Sequence, residues 1–186
     1  MASAIDSLLE INEIAWSFYN SNPSNKKKIN MAPKEINALL QNLKTSEVRY
    51  ILIGGFAMAF HGLPRATGDI DLWIDNTPTN MERLKEALIN TGFTEAVAMQ
   101  KTTQLVPGFA VFNLLESDFK IDLMHSIKAF KEKDFDACFL RAKIANYNGI
   151  DVAVMDAKDL LNEKIKTNRI KDLVDIDFLK NLLGIK

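Results

Sequence analysis

Residues 50–75 read YILIGGFAMAFHGLPRATGDIDLWID, and the fold can be worked out from this stretch. It opens with the apolar run from Tyr50 to Ile53, which is typical of a buried strand. A pair of glycines follows, and then a run that predicts a short helix. From Asp69 onwards polar and apolar residues alternate, which predicts a second strand. The order strand, helix, strand and then a further helix indicates a layered α/β or α+β domain rather than a helical bundle.

The second strand carries a pair of carboxylates on one face. Asp69 and Asp71 are two residues apart, and side chains along a strand alternate between its faces, so both point the same way. Side by side the two carboxylates repel each other, and burial adds to that cost. A hard divalent cation between them removes the conflict. The pattern therefore favours a metal site, and solvated carboxylates at the end of a strand are the alternative.

Together these residues resemble the signature of a known family. A Gly-Gly pair at the end of a strand, thirteen intervening residues and then Asp-Ile-Asp-Leu are similar to the pattern of the DNA polymerase beta-like nucleotidyltransferase superfamily. The fuller string GGFAMAFHG…R.T.DIDL resembles its small bacterial, abortive-infection type branch, which includes stand-alone nucleotidyltransferases and toxins of toxin–antitoxin pairs. The resemblance implies an α+β nucleotidyltransferase fold, layered as in α/β proteins. Its mixed β-sheet is expected to have flanking helices and extra N-terminal and C-terminal helices.

The resemblance also implies a reaction and the ions that assist it. A nucleoside triphosphate, with ATP as one candidate, would donate its nucleoside monophosphate to an acceptor hydroxyl on a small molecule, an RNA or a protein. Two divalent ions about 3.5–4 Å apart clamp such a transfer, and Mg²⁺ is expected, with Mn²⁺ as the alternative. The superfamily requires a third carboxylate on a later strand, and Asp122 in FKIDLM falls on that position. The implied catalytic residues and metal ligands are therefore Asp69, Asp71 and Asp122.

Further residues are candidates for the phosphate groups of the nucleotide. Gly54 and Gly55 are expected to let the backbone approach the phosphates, although many superfamily members carry Ser at the second of these positions. Arg65 is expected to pair bidentately with phosphate, and a salt bridge to a local carboxylate is the alternative. KIKTNRIKDLVDIDFL, near the C-terminus, resembles a segment of the same branch and contains Lys164 and Lys171. These lysines are expected to reach nucleotide phosphates, and a solvated, charge-paired helix face is the alternative.

Bulk properties limit the classes of function. A chain of 186 residues fits a single domain, which we divide into an N-terminal helical extension (1–46), a catalytic core (47–128) and a C-terminal hairpin with helices (129–186). Lys and Arg number 23 against 24 Asp and Glu, which gives a net charge of -1. Because no surface that alternates aromatic and basic residues is discernible either, general nucleic-acid binding is not expected.

The sequence also predicts where the protein works. No apolar run reaches membrane-spanning length, and the N-terminus lacks the pattern of a signal peptide. Cys138 is the single cysteine, which excludes an internal disulfide and fits a reducing compartment. We therefore expect a cytoplasmic protein without membrane contact. Cys138 is better explained as a core residue than as a nucleophile, and His125 as a strand-end residue than as a catalyst. His61 is interpreted as a packing or capping residue, and an imidazole near a phosphate is the alternative.

The rest of the chain predicts the following elements. Before the central stretch they are a helix over 5–19, a basic loop over 20–30 and a helix from Pro33 with the buried stripe Ile36, Leu39, Leu40 and Leu43. After it come a helix opened by a capping box at 79–82 and closed at Gly92, a loop over 94–108, and strands over 109–115 and 119–124. The chain ends with a hairpin turned at Asn148-Gly149 and two helices, one from near Asp156 and one from about Arg169 to Leu183.

Two hypotheses from different classes remain at this point. The first is the metal-dependent enzyme, and the three intact carboxylates favour it. The second is a catalytically inactive module that binds nucleotide or a partner, for instance one component of a toxin–antitoxin pair with a cognate antitoxin or another protein. The acceptor, the base of the nucleotide and the oligomeric state are not predicted by any pattern in the sequence.

Overall fold

Among the residues that the structure describes, six strands form one mixed β-sheet with helices packed around it. The structure is a computed structural model, and it describes residues 14–15, 17–19, 21–23, 34–64, 67–105, 109–115 and 119–185. The strands are β1 (Tyr50–Leu52), β2 (Asp69–Ile74), β3 (Phe109–Asn113), β4 (Lys120–Met124), β5 (Lys143–Tyr147) and β6 (Ile150–Val154). The helices are α1 (Lys34–Thr45), α2 (Gly54–Phe60), α3 (Pro78–Thr91), α4 (Glu95–Leu105), α5 (Phe135–Arg141), α6 (Ala157–Thr167) and α7 (Asp172–Leu183), with a 3₁₀ turn at Glu132–Asp134.

The sheet has the strand order β3-β4-β2-β1-β6-β5, and its pairings are of both kinds. β1 is antiparallel to β2 and parallel to β6, and β2 is parallel to β4. The hairpins β3–β4 and β5–β6 are antiparallel and complete the two edges. This arrangement confirms the predicted mixed sheet with flanking helices. It also places the middle of β4 beside the strand that carries the paired carboxylates.

Apolar side chains in the centre of the sheet build the core. All three residues of β1 are buried, as the apolar run predicted. In β2, Ile70 and Leu72 are buried, whereas Asp69 and Asp71 are half-buried. Trp73 shares a face with the two carboxylates but is fully buried, because Phe130 and Phe135 cover its ring and its Nε1 donates a hydrogen bond to the carbonyl oxygen of His125.

Helical residues from the N-terminal part of the chain contribute buried side chains to this core. The buried residues of α1 are Ile36, Leu39, Leu40 and Leu43, which are the four predicted positions. Residues 14–15 and 17–19 are also helical, in line with the helix predicted over 5–19. Phe18 stacks on Tyr147, with a centroid distance of 4.7 Å. Residues 1–13 and Pro33, which the predictions include, lie outside the described residues.

The predicted start of α3 is wrong. The helix begins at Pro78, where the fixed φ of proline suits a first helical position, and not at a capping box over 79–82. Asn80 therefore lies inside the first turn, where its side chain is buried and joins two backbone segments. Its Oδ1 accepts from the Arg49 N–H at 2.7 Å, and its Nδ2 donates to the carbonyl oxygens of Arg49 and Asp75 at 2.9 and 2.8 Å.

The loop predicted over 94–108 is also wrong, because α4 forms most of that segment. The helix packs against α3 and β3. Its apolar residues do not form a stripe: Ala98 is fully buried, whereas the next residue, Met99, is 62% exposed. Periodicity, the main signal for a helix, is therefore missing from this part of the sequence.

The C-terminal part follows the prediction with one shift. Asn148 and Gly149 have φ values of 51° and 83°, which is the turn geometry expected of the β5–β6 hairpin. Asp156 caps α6 by accepting a hydrogen bond from the Lys158 N–H at 2.9 Å. α7 begins at Asp172 and not near Arg169, which lies in the turn between α6 and α7. None of the helices in the described ranges has the length and apolar character that crossing a membrane requires.

Candidate active site

Three carboxylates converge where β2 and β4 run side by side. The parallel register places Asp71 opposite Asp122, and Asp69 precedes Asp71 on the same face of the sheet. One carboxylate oxygen from each residue belongs to a set whose members all lie within 4.8 Å of one another. Oxygen ligands at this spacing, on half-buried side chains, are a donor set that suits a hard divalent cation.

The electrostatics of this carboxylate cluster also fit a cation. Burial, with the neighbouring charges of Asp69 and Asp122, raises the pKa of Asp71 to about 7. Burial and the charge of Asp69 raise the pKa of Asp122 as well. Lys164 and Arg169 act in the opposite direction on Asp71 without cancelling the effect. The metal-free cluster is therefore strained by like charges, and a bound divalent cation would remove that repulsion.

The glycine pair lies directly against this cluster. Gly54 has a φ of +65°, and a Cβ atom added there would lie 1.8 Å from Oδ2 of Asp71. A Cβ atom on Gly55 would lie 2.6 Å from Oγ1 of Thr67. Glycine at both positions thus lets the first turn of α2 approach the carboxylates and the segment ahead of β2.

The cluster opens into a cavity of about 520 Å³. One part of the wall is apolar and includes Phe109 and Met124 from the paired strands β3 and β4. Another part is basic and comes from the C-terminal end of the chain, with Lys164 on α6 and Arg169 and Lys171 in the turn before α7. The fold therefore brings positive side chains to the cavity that the three carboxylates share.

Lys164 reaches the cavity from a buried ion-pair network. Its side chain is 2% exposed, and Nζ lies 3.2 Å from Oδ1 of Asp172 and 2.7 Å from Oδ2 of Asp175, both of which are fully buried. The alternative of a solvated, charge-paired helix face is therefore wrong for Lys164. Lys171, in contrast, is exposed at the rim of the cavity.

Arg169 is a cavity residue that the sequence analysis did not single out. Its Nε and Nη2 donate to the two carboxylate oxygens of Asp172 at 2.8 and 3.0 Å, and Thr167 Oγ1 donates to Oδ2 at 2.7 Å. Burial acts to raise the pKa of Asp172, but these hydrogen bonds and the charge of Lys164 outweigh it and hold that pKa well below its usual range. The three-residue spacing of Arg169 and Asp172 was a signal in the sequence that could have indicated this ion pair.

Glu163 was also missed, and it fixes the segment that follows β4. Its carboxylate oxygens accept hydrogen bonds from the backbone N–H groups of Lys128 and Ala129 at 3.1 and 2.7 Å. Glu163 and Lys128 both line the cavity. No sequence signal could have found this contact, because it joins residues 34 and 35 positions apart through backbone donors.

The remaining candidates lie elsewhere. Arg65 is outside the described residues. His61 Nε2 is 2.7 Å from the carbonyl oxygen of Met155, and burial lowers the pKa of this histidine, which agrees with a packing role. His125 lies at the end of β4 with Nδ1 3.7 Å from Glu132 Oε2, and Cys138 is buried in the core. None of these described residues lines the cavity.

The chain is similar to a protein family and to several solved structures. A family model described as "Nucleotidyl transferase AbiEii toxin, Type IV TA system" matches residues 38–186. Among solved structures, an antigenic nucleotidyltransferase-like protein from Paracoccidioides brasiliensis is 18% identical, with a TM-score of 0.47 over 81% of this chain and 73% of that chain. Lincomycin-bound LnuA, a lincosamide antibiotic adenylyltransferase, is 17% identical, with a TM-score of 0.47 over 83% of this chain and 99% of that chain. No curated protein matches this chain.

Proposed function

The chain belongs to the AbiEii family of nucleotidyl transferase toxins of type IV toxin–antitoxin systems, and from this premise we propose how its cavity carries out nucleotidyl transfer. The observation that carries the proposal is the convergence of Asp69, Asp71 and Asp122 within 4.8 Å. These carboxylates lie in the same cavity as the basic side chains of Lys164 and Arg169. The carboxylates proposed to bind metal and the basic side chains proposed to bind phosphate thus line one cavity, which supports a metal–triphosphate substrate.

Mg²⁺ is the proposed metal, with Mn²⁺ as its substitute. An all-oxygen donor set from three carboxylates is one that Mg²⁺ accepts while it keeps several waters and takes further ligands from a triphosphate. We propose that Asp69 and Asp71 would hold the two ions and that Asp122 would be a further ligand of the ion that activates the acceptor. Bound there, the ions would neutralise charge on the attacking and leaving oxygens and on the phosphoryl group between them.

The basic wall is proposed to hold the triphosphate. The Arg169 guanidinium is fixed by Asp172 and lines the cavity, so it is preorganised to face an anion. Lys164 has three N–H donors, and its ion pairs with Asp172 and Asp175 engage two of them. Lys171 would add a third positive charge from the rim. Gly54 and Gly55 are proposed to bring backbone close to the same phosphates.

The chemistry then balances as an in-line displacement. The acceptor oxygen forms a bond to the α-phosphorus, the bond from that phosphorus to the bridging oxygen breaks, and pyrophosphate leaves. The acceptor hydroxyl loses its proton, and we propose a carboxylate oxygen of Asp122 as the group that takes it.

The proposed setting of the reaction consists of a partner protein and a cellular compartment. Family membership suggests an antitoxin partner. We propose a cytoplasmic location, and a chain with a single cysteine, which needs no disulfide, fits a reducing compartment.

The test is calorimetric titration of the purified protein with ATP, CTP, GTP and UTP, in Mg²⁺ or Mn²⁺ and then in EDTA. We expect at least one triphosphate to bind only with metal, and Asp69→Asn and Asp122→Asn to lose that binding while remaining folded. Asp177→Asn is the matched control, because Asp177 is an exposed carboxylate on α7 away from the cavity. If wild type binds no triphosphate with either metal, the proposed function is wrong.

A further inference from the structure

A buried hydroxyl lies against one of the carboxylates of the cluster. Thr67 precedes β2, its side chain is 8% exposed, and its Oγ1 donates a hydrogen bond to Oδ1 of Asp69 at 2.6 Å. The carbonyl oxygen of Asp69 lies 3.5 Å from the same hydroxyl and is the poorer acceptor. A threonine has one hydroxyl proton, so this geometry directs it to the carboxylate.

The position of the Thr67 hydroxyl is set by the backbone of α2. A Cβ atom on Gly55 would lie 2.6 Å from Oγ1 of Thr67, 2.7 Å from its Cβ and 3.0 Å from its Cγ2. The glycine thus leaves the space that the whole threonine side chain fills. Threonine is also stiff at χ1 because it is branched at Cβ, so close packing on all three of these atoms leaves its hydroxyl little freedom.

The three carboxylates differ in how they are held. Asp71 lies in the middle of β2, with its Oδ2 against Gly54, and Asp122 lies in the middle of β4. Asp69 is the first residue of β2, where the strand begins. Within the described residues, its carboxylate accepts a side-chain hydrogen bond from Thr67.

From these contacts we propose that Thr67 is a positioning residue, which fixes the Asp69 carboxylate in the orientation that metal binding requires. The proposal rests on the proposed function of the carboxylate cluster. The bond engages one lone pair of Oδ1 and restricts rotation of the carboxylate, while an Asp69 oxygen lies within 4.8 Å of oxygens of Asp71 and Asp122. Partners of this kind typically contribute about 10–100-fold to metal affinity.

The test is Mn²⁺ titration of the full chain, with free Mn²⁺ followed by electron paramagnetic resonance. Thr67→Val removes the hydroxyl and keeps the shape of the side chain, so we expect Mn²⁺ binding about 10-fold weaker than in wild type. Thr67→Ser keeps the hydroxyl, and we expect it to bind Mn²⁺ within about twofold of wild type. Asp69→Asn shows how much Mn²⁺ binding remains when the Asp69 carboxylate is lost.

Thermal unfolding separates this role from a structural one. The melting temperature of each variant is measured in EDTA, and Thr67→Ala replaces Thr67→Val if the valine variant does not fold. If a folded variant without the hydroxyl binds Mn²⁺ as tightly as wild type does, the proposed role of Thr67 is wrong, and the proposed metal site is not affected. Wild type that binds Mn²⁺ no better than Asp69→Asn would overturn the proposed metal site and this proposal together.

Discussion

At the scale of single residues, Gly54 is under two separate constraints. Its φ of +65° is a conformation that other residues adopt at a cost, and a Cβ atom there would lie 1.8 Å from Oδ2 of Asp71. Gly184, which ends α7, has nearly the same φ of +66° but no heavy atom within 4 Å of an added Cβ. Comparing alanine variants at these two positions therefore distinguishes the cost of backbone strain from the cost of collision with the Asp71 carboxylate.

We predict that Gly54→Ala is more destabilising than Gly184→Ala and also weakens metal binding. Gly184→Ala should cost about 1–2 kcal/mol of unfolding free energy, which is the strain of the left-handed conformation. Gly54→Ala should cost at least about 1 kcal/mol more, because Asp71 must move. Urea unfolding and Mn²⁺ titration measure the two effects. Equal losses of stability in the two variants would show that the contact with Asp71 is not tight.

Asp71 should make the metal-free protein sensitive to pH. Its pKa in the folded protein is about 7, above the usual value of 3.8, so the folded state binds the proton more tightly than the unfolded state does. Stability is then lost as the pH rises between those two values, by up to about 1.4 kcal/mol per pH unit. Asp71→Asn removes the titrating group, while His61 and all other groups still titrate in both proteins.

We therefore predict that the unfolding free energy of Asp71→Asn, measured relative to wild type in EDTA, increases from pH 5 to pH 8. Saturating Mn²⁺ should stabilise wild type at pH 8 more than the variant, because the cation favours the ionised carboxylate. Unfolding by urea at several pH values provides the measurement. A difference between the two proteins that does not change with pH would contradict the raised pKa.

At the scale of elements, α6 and α7 are joined by buried charges. Lys164 on α6 is enclosed with Asp172 and Asp175 on α7, and Arg169 in the connecting turn pairs with Asp172. Removing one partner from a buried pair leaves the other charge uncompensated, which typically costs about 3–5 kcal/mol. The network thus holds two basic cavity residues and the two helices together.

Asp172→Asn should therefore destabilise the protein by about 3 kcal/mol or more. It should also weaken triphosphate binding in the variant that remains folded, because Arg169 loses its charged partner. Asp177→Asn, on the exposed side of the same helix, is the control and should change stability by less than about 0.5 kcal/mol. If urea unfolding shows the two variants to be equally stable, the network does not hold the helices together.

Elements with a clear apolar period could be predicted from the sequence, and others could not. The stripe of α1 and the existence of the strands β1 and β2 follow from local pattern alone, whereas the antiparallel pairing of the two strands does not. α4 lacks a stripe, since Ala98 is buried and Met99 is exposed, so its residues gave no helical signal. Lys164 could not be placed either, because lysine is expected in solvent and its burial depends on two aspartates supplied by another helix.

The residues of the candidate site also divide into those that could be predicted from the sequence and those that could not. Asp69, Asp71 and Asp122 stood out because strand alternation and a family pattern both mark them, and the structure brings them together. Their metal-binding and catalytic roles remain predictions. Arg169, Glu163 and Thr67 act through hydrogen bonds whose partners are set by tertiary packing. Thr67 was visible in the central string, but its contact with Asp69 depends on the space that Gly55 leaves.

At the scale of the whole molecule, the cavity joins distant parts of the chain. The sheet supplies carboxylates at 69–71 and 122, and the α6–α7 pair supplies basic side chains at 164–171. The family match over residues 38–186 includes all of them. A metal–triphosphate bound in the cavity would therefore contact the sheet through its cation and the helix pair through its phosphates.

We predict from this arrangement that nucleotide and metal protect both parts of the chain from hydrogen exchange at once. With Mn²⁺ and the triphosphate that binds best in calorimetry, at about 100 times its dissociation constant, global stability should rise by about 2.7 kcal/mol. Mass spectrometry should then show slower exchange in peptides from β2 and β4 and in peptides from α6 and α7. Mn²⁺ alone should protect the strands more than the helices, and Asp69→Asn should lose both effects. A ligand that bridges the two parts must slow the opening of both. If metal and nucleotide together slow exchange only in the strands, the basic wall does not hold the phosphates.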